Sequence, residues 1–174
     1  MKPRPNLSFV LVGGLLGTPA MSALTYVLGP VFGVNTDIVT MLGEMLGGWR
    51  MGMLVHILNG AIIFPAVFAF LLYRFLPGSP MAKGTTFGVL LWLTSESVVL
   101  PIMGAGFFSA HIGGLKAAVA SLLGHVVYGW FLGLFPTLAQ EDLLGNPLLP
   151  SSVSPAPAGH NRSRSNFCEG RIEP

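Results

Sequence analysis

Charged residues are what this chain has least of. Asp, Glu, Lys and Arg make up 9% of its 174 residues, whereas a soluble domain carries about 25%. The formal net charge is +2, with no basic stripe or patch, so no nucleic-acid partner is expected. The single cysteine, Cys168, excludes a disulfide framework and a cysteine-based metal site.

The sequence also lacks the motifs of common enzymes. It has no Gly-x-Ser-x-Gly elbow, no P-loop, no His-Glu-x-x-His zinc motif and no Rossmann glycine fingerprint. We therefore expect no catalytic residues and no enzyme activity, and no motif requires a cofactor.

Apolar residues are abundant instead. The chain is 52% hydrophobic, with 23 Gly and 14 Pro, two residues that membrane helices tolerate better than soluble ones. Apolar segments at about 7–32, 51–76, 85–108 and 117–138 reach the roughly 20 residues that cross a bilayer. The sequence predicts an all-α integral membrane four-helix bundle with up-down-up-down topology over residues 1–144.

Polar segments separate and follow these spans. We expect a short interfacial helix after the first span, capped by Asn35 or Thr36 and ending at Leu46. Residues 145–174 are rich in Pro, Ser, Asn and Arg and are predicted to be a disordered tail. A cleavable signal peptide is the alternative for the first span, but apolar character continues to Phe32 and favours an uncleaved anchor.

The distribution of basic residues predicts the orientation. One side of the membrane would carry Lys2, Arg4, Arg74, Lys83, Arg162, Arg164 and Arg171, and the other only Arg50 and Lys116. Because Lys and Arg are enriched in cytoplasmic loops, we expect both termini to be cytoplasmic.

Small residues and prolines should shape the bundle. The pairs Gly13/Gly17, Gly29/Gly33, Gly84/Gly88 and Gly129/Gly133 would let helices approach closely, either within the chain or in a homo-oligomer or another membrane-protein complex. Pro65 and Pro101 each remove a backbone hydrogen bond, which in a regular α-helix leaves the carbonyls of Ala61 and Ser97 open.

A repeated motif places polar residues inside the second and fourth spans. A Gly-Gly pair at 47–48 precedes His56-x-x-Asn59-Gly60, and a second pair at 113–114 precedes His125-x-x-Tyr128-Gly129. Ionisable residues at membrane depth are functional candidates by default. Together with Glu96, near the middle of the third span, they form the predicted intramembrane cluster His56, Asn59, Glu96, His125 and Tyr128.

Several chemistries suit such a cluster. His56, Glu96 and His125 would serve a proton relay or a divalent metal site, and the two imidazoles would serve a b-type haem. The same groups would also suffice as interhelical contacts without another role. We predict a membrane protein that binds or conducts protons or a small solute. The alternatives are a haem- or metal-binding subunit of a redox assembly and a structural or assembly partner of another membrane protein.

Part of the chain also resembles known proteins. Leu100-Pro101-Ile102-Met103-Gly104 and Gly124-His125-Val126-Val127-Tyr128-Gly129 resemble segments of small four-span bacterial membrane proteins that carry only a domain-of-unknown-function label. A more distant similarity is to YagU-like inner-membrane proteins, although Ile102 stands where that group tends to have leucine. The resemblance covers about residues 8–138. It implies the four-span fold, the bacterial inner membrane and a link to acid tolerance, but no catalytic residues.

Overall fold

Five helices make up most of the structure, a computed structural model that describes residues 5–34 and 37–145, with side chains as far as Ala139. They are α1 (Leu7–Phe32), α2 (Ile38–Leu46), α3 (Trp49–Leu72), α4 (Pro80–Ile102) and α5 (Leu115–Gly145). Helices α1, α3, α4 and α5 are long and apolar enough to cross a membrane. No strand occurs among these residues, so the predicted all-α class with four long apolar helices is confirmed.

The chain divides into two units, Met1–Leu144 and Gly145–Pro174. Apart from Gly145, which ends α5, the helices belong to the first unit. The predicted disordered tail lies outside the described residues from position 146 onward.

The short helix after the first span is present, but its predicted cap was wrong. The carboxylate of Asp37 caps α2 by accepting hydrogen bonds from the backbone N–H groups of Val39 and Thr40 at 3.1 and 3.2 Å. Its Oδ1 also accepts from the Tyr26 hydroxyl at 3.2 Å, which ties the end of α1 to the start of α2. An aspartate offers two acceptor oxygens, which suits it to this double role.

We predict that Asp37 makes α2 sensitive to acid. Burial raises the pKa of this carboxyl, but hydrogen bonds from Thr40, Tyr26 and Val39 outweigh burial and hold the pKa below its usual 3.8. Its stabilisation is therefore complete above the unfolded pKa and declines as the pH falls through the folded pKa. Asp37→Ala should cost about 1 kcal/mol, measured as about fivefold faster hydrogen exchange in α2.

The isosteric change Asp37→Asn is the matched control, because asparagine caps a helix as well as aspartate but does not titrate. It should keep α2 protected and remove the acid sensitivity. Unchanged exchange in Asp37→Ala would contradict the role of the cap.

The ends of the last three spans differ from the predicted boundaries. Helix α4 begins at Pro80, earlier than expected, because the Ser79 side chain caps it by accepting from the Ala82 N–H at 3.3 Å. It ends at Ile102, before a glycine-rich loop with a short 3₁₀ turn at Phe107–Ser109. Helix α3 starts at Trp49 and ends at Leu72, and α5 extends beyond 138 to Gly145.

The early start of α4 changes the position of Lys83, which the predicted boundaries placed outside the third span. Lys83 lies within α4 and is only 6% exposed. Its Nζ donates to the Tyr73 carbonyl at 3.0 Å and lies 4.0 Å from the Tyr73 ring centroid. The ammonium group thus binds a carbonyl just beyond the carboxyl end of α3, where the helix dipole favours a cation.

Glycines set the contacts between the long helices. Gly84 and Gly88 of α4 lie so close to Gly129 of α5 that a Cβ on either glycine would collide with α5 backbone. On α1, Gly13 and Gly17 face α5, while Gly14 faces Pro65 of α3. These glycine faces are used within the chain, as small-residue packing in membranes predicts.

The pair Gly29/Gly33 behaves differently. Gly33 has no neighbour within 4 Å of an added Cβ, and its φ of +67° is the left-handed conformation that ends a helix. Gly33 therefore serves as the C-cap of α1.

One half of the bundle is tightly packed. Side chains from all four long helices form a buried apolar cluster there: Val10, Phe68, Ala69, Tyr73, Leu76, Phe87, Tyr128 and Leu132. Phe68 packs on Phe87 with ring centroids 5.3 Å apart, which joins α3 to α4. The other half contains the five polar residues of the predicted cluster, of which Tyr128 also belongs to the packed half.

Candidate functional site

Helices α3 and α4 each contain a π-helical turn close to a proline. The turn Asn59–Ile63 lies two residues before Pro65, and the turn Ser95–Val99 lies two residues before Pro101. In each, the backbone N–H just before the proline bonds five residues back: Phe64 to Asn59 and Leu100 to Ser95. Such π turns often occur at functional sites.

The π turn in α3 changes which backbone carbonyl lacks a hydrogen-bond donor from its own helix. In a regular α-helix the Phe64 N–H would bond to Gly60, but here it bonds to Asn59, and Pro65 has no N–H to offer. The Gly60 carbonyl instead accepts from the Tyr128 hydroxyl of α5 at 2.6 Å. The two copies of the repeated motif are therefore hydrogen-bonded to each other, since the Tyr128 hydroxyl of one copy donates to the Gly60 carbonyl of the other.

Removing this hydroxyl should destabilise the fold. Tyr128 is 2% exposed, and Tyr128→Phe leaves the buried Gly60 carbonyl without its donor. We expect a loss of about 1–3 kcal/mol, measured as a lower unfolding midpoint in micelles. Tyr26→Phe, which removes an exposed hydroxyl, is the control and should change the midpoint less; equal effects would contradict this account.

Glu96 is the most deeply buried polar residue of the candidate cluster. It is fully buried, and its Oε2 accepts from the Ser109 hydroxyl at 2.7 Å. Its other oxygen, Oε1, is buried and has no hydrogen-bond partner among the described residues. A buried polar atom left unpaired costs free energy unless something outside the chain supplies the partner.

The loop after α4 is built to bring Ser109 to this position. Phe108 and Ser109 both have positive φ, 49° and 56°, a strained conformation for residues with side chains. The Phe108 ring packs on Trp92 at 5.8 Å between centroids, and Trp92 Nε1 donates to the Ala118 carbonyl at 2.9 Å. The strain is thus held in place by contacts with α4 and α5.

His56 is fixed by α1. Its Nε2 lies 3.0 Å from the Ser22 hydroxyl, whose own proton points to the Thr18 carbonyl at 3.0 Å. Since that proton is used, we assign Nε2 as the donor, and a neutral His56 keeps Nδ1 as an acceptor.

His125 is fixed within its own helix. Its Nδ1 lies 2.9 Å from the Ser121 carbonyl, and only a donor can bond to a carbonyl, so Nδ1 carries a proton. In a neutral imidazole the remaining nitrogen, Nε2, is then an acceptor. No hydrogen bond joins His56, Glu96 and His125 to each other in the described part of the chain.

The five predicted residues nevertheless share one space. His56, Asn59, Glu96, His125 and Tyr128 all line a cavity of about 670 Å³, here called the inner cavity. Parts of α1, α2, α3, α4, α5 and the 109–112 loop complete its wall. The structure therefore brings the predicted cluster together around a cavity.

The inner cavity occupies one half of the bundle only. In α1 its lining begins at Thr18, beyond the core residue Val10, and in α4 it begins at Leu91, beyond Phe87. Helices α3 and α5 run the opposite way, and there the lining ends at Phe64 and Tyr128.

Below that level all four helices contribute to the packed apolar core. Tyr128 belongs to both regions and forms part of the cavity floor. The inner cavity is thus closed on the side where Val10, Phe68 and Phe87 pack.

The described residues do not form a ready-made metal site. They contain no group of three or more His, Cys, Asp or Glu side chains placed to hold a metal ion. Haem or a divalent metal, the alternative to the expected absence of a cofactor, stays a prediction from the sequence.

Sequence reasoning missed several polar residues of the site. The Ser22 hydroxyl bonds His56, the Ser121 backbone carbonyl bonds His125, and the Ser109 hydroxyl bonds Glu96. Ser22 and Ser121 lie within spans where hydroxyls often bond their own helix. For Ser109 the only sequence signal is the surrounding glycine-rich loop. Ser97, whose backbone carbonyl was predicted to be open, does not line the cavity, and its hydroxyl donates to the Leu93 carbonyl.

Four long apolar helices around a partly polar cavity define a multi-span, all-α membrane protein. Within that class the chain belongs to a family of unknown function, DUF6789, whose model matches residues 6–142. No curated protein and no solved structure matches the chain. The resemblance to small proteins with a domain-of-unknown-function label is confirmed, and the likeness to YagU-like proteins stays a prediction.

Proposed function

We propose that this protein binds a small, largely apolar solute in the inner cavity. It would do so in the bacterial inner membrane, with both termini in the cytoplasm and the cavity in the extracytoplasmic half. The observation that carries the proposal is the convergence of polar side chains from α3, α4 and α5 on one cavity.

The size and chemistry of the cavity suit a ligand. Small-molecule sites have volumes of about 300–1,000 Å³, with mainly apolar walls and a few polar groups that orient the ligand. The inner cavity has about 670 Å³. Met21, Phe64, Leu91 and Leu100 contribute apolar surface, and Glu96 offers an oxygen that no described group of the protein satisfies.

The packed half of the bundle favours binding over conduction. A conducting path must reach both membrane surfaces, but Val10, Phe68 and Leu132 are fully buried directly beyond the cavity floor. A solute that enters the inner cavity would therefore have to leave on the same side.

The test fills the cavity without touching its hydrogen bonds. Ser95 lines the inner cavity, so Ser95→Phe should occupy space that the solute needs. Ser97→Phe is the matched control, because Ser97 is in the same π turn and does not line the cavity. Binding of naphthylethylamine, naphthylethanol and naphthylacetate is measured by equilibrium dialysis against protein in nanodiscs, with empty nanodiscs subtracted.

We expect saturable binding of at least one probe, weakened about tenfold or more by Ser95→Phe and unchanged by Ser97→Phe, since tenfold corresponds to only about 1.4 kcal/mol of lost contact. Absence of saturable binding for all three probes would overturn the proposal. An equal loss in both variants would show that the probes bind elsewhere.

A further inference from the structure

We propose that the solute is an organic cation, an amine attached to an apolar body, with Glu96 as its partner. This inference rests on the proposed binding function and adds the chemical class of the ligand. It follows from the polar atoms left open in the inner cavity and from the charges around its entrance.

The ionisable members of the cluster, Glu96, His56 and His125, keep acceptor atoms open, while the Asn59 amide carries both donors and an acceptor. Glu96 Oε1 has no donor within the described ranges. The donor nitrogen of His125 is engaged by the Ser121 carbonyl, and the donor nitrogen of His56 is engaged by Ser22. The Tyr128 hydroxyl donates its hydrogen bond to the Gly60 carbonyl. An ammonium group supplies three donors and no acceptor, so it matches this set.

A second cavity lies next to the first and is acidic. This outer cavity, of about 470 Å³, is lined by Asp37 and Glu44. It shares Asp37, Met41 and Ile112 with the inner cavity. A cation passing from the outer to the inner cavity would thus meet Glu44, then Asp37, then Glu96.

Opposing charges are scarce along this route. Among the described residues, no Lys or Arg lines either cavity. Within the part of the chain that the structure describes, the basic side chains that line the inner cavity are His56 and His125. A cleft lined by charges of one sign concentrates ligands of the opposite sign, which disfavours a carboxylate ligand.

The burial of Glu96 should make the difference in affinity between an amine and a neutral ligand large. A buried carboxylate without a counter-charge is costly, and removing one partner of a buried pair is costly as well. A bound ammonium group would offset the burial of Glu96, whereas a neutral ligand of the same shape would not. The discrimination should therefore depend on Glu96 itself.

The experiment compares the three naphthyl probes, which share one apolar body and differ in charge. Binding is measured at neutral pH in nanodiscs of phosphatidylcholine, so that the bilayer does not concentrate cations. Wild type is compared with Glu96→Gln, which keeps the shape of the side chain and removes its charge. Ser97→Ala is the control for a change in the same turn away from the cavity.

We expect naphthylethylamine to bind at least about tenfold more tightly than the alcohol or the acid, and Glu96→Gln to weaken its binding about 30-fold, the loss typical of a broken buried charge pair. Binding of naphthylethanol should change little in Glu96→Gln, and Ser97→Ala should match wild type.

The outcomes separate this inference from the function on which it rests. If the alcohol or the acid binds as tightly as the amine, and Ser95→Phe abolishes that binding, the cavity binds solutes and the cation preference is wrong. If no probe binds, both proposals fall. If Glu96→Gln does not fold, the order in which wild type binds the three probes still decides whether the cavity prefers a cation. If Glu96→Gln folds and keeps the preference for the amine, Glu96 is excluded as the partner.

Discussion

Replacing Gly129 with valine is expected to cost about 3 kcal/mol or more of stability, at the upper end for overpacked sites. A Cβ at this position would overlap the Gly84 carbonyl oxygen and lie 3.0 Å from the Cα of Gly88. Both obstacles are α4 backbone, which cannot rotate away as a side chain would. The valine must therefore push α4 from α5 along their main contact.

The measurement is unfolding of the purified protein in mixed micelles, followed by helical circular dichroism. Leu123→Val is the matched control, since it introduces the same residue on the same helix at a side chain that is 42% exposed. It should unfold near the wild-type midpoint. A Gly129→Val protein as stable as this control would show that the close α4–α5 contact is absent.

Replacing Glu96 and Ser109 together is expected to leave the free protein as stable as wild type or more stable, by as much as about 1–4 kcal/mol. Glu96→Leu removes the buried oxygen for which the described residues supply no partner, and Ser109→Ala removes the hydroxyl that would then lose its acceptor. The same double variant should lose binding of naphthylethylamine. A gain in stability with a loss of binding is typical of residues kept for function.

Ser109→Ala alone provides the comparison. It leaves both Glu96 oxygens without a donor, so we expect it to be the least stable of the three proteins, by about 1–3 kcal/mol against wild type. Unfolding in the same micelles ranks them. If the double variant is the least stable instead, the Glu96–Ser109 pair supports the fold and is not kept for ligand binding.

Most of the fold could be predicted from the sequence because membrane helices leave strong signals. Segment length and hydropathy gave α1 its observed bounds, and small-residue pairs marked Gly84, Gly88 and Gly129 as contacts. The boundaries of α3 and α4 were less predictable. Caps such as Ser79 and turn glycines such as Gly48 fix them, and hydropathy does not detect either.

The candidate site was only partly predictable. The motif His-x-x-[Asn/Tyr]-Gly and the lone Glu96 identified five side chains that do line one cavity. The link between Tyr128 and Gly60 depends on a π turn, which prolines suggest but do not specify. The pairing of Ser109 with Glu96, 13 residues apart, depends on a strained loop for which no local pattern exists.

Photolabelling in nanodiscs with an aryl-diazirine benzylamine, followed by peptide mass spectrometry, tests the central claim most directly, because the label forms where the amine binds. The account predicts labels on cavity-lining peptides within residues 56–64, 91–100 and 121–128, reduced by excess naphthylethylamine and by Ser95→Phe. Labels spread over lipid-facing residues such as Val31 and Leu115, and unaffected by the competitor, would contradict it.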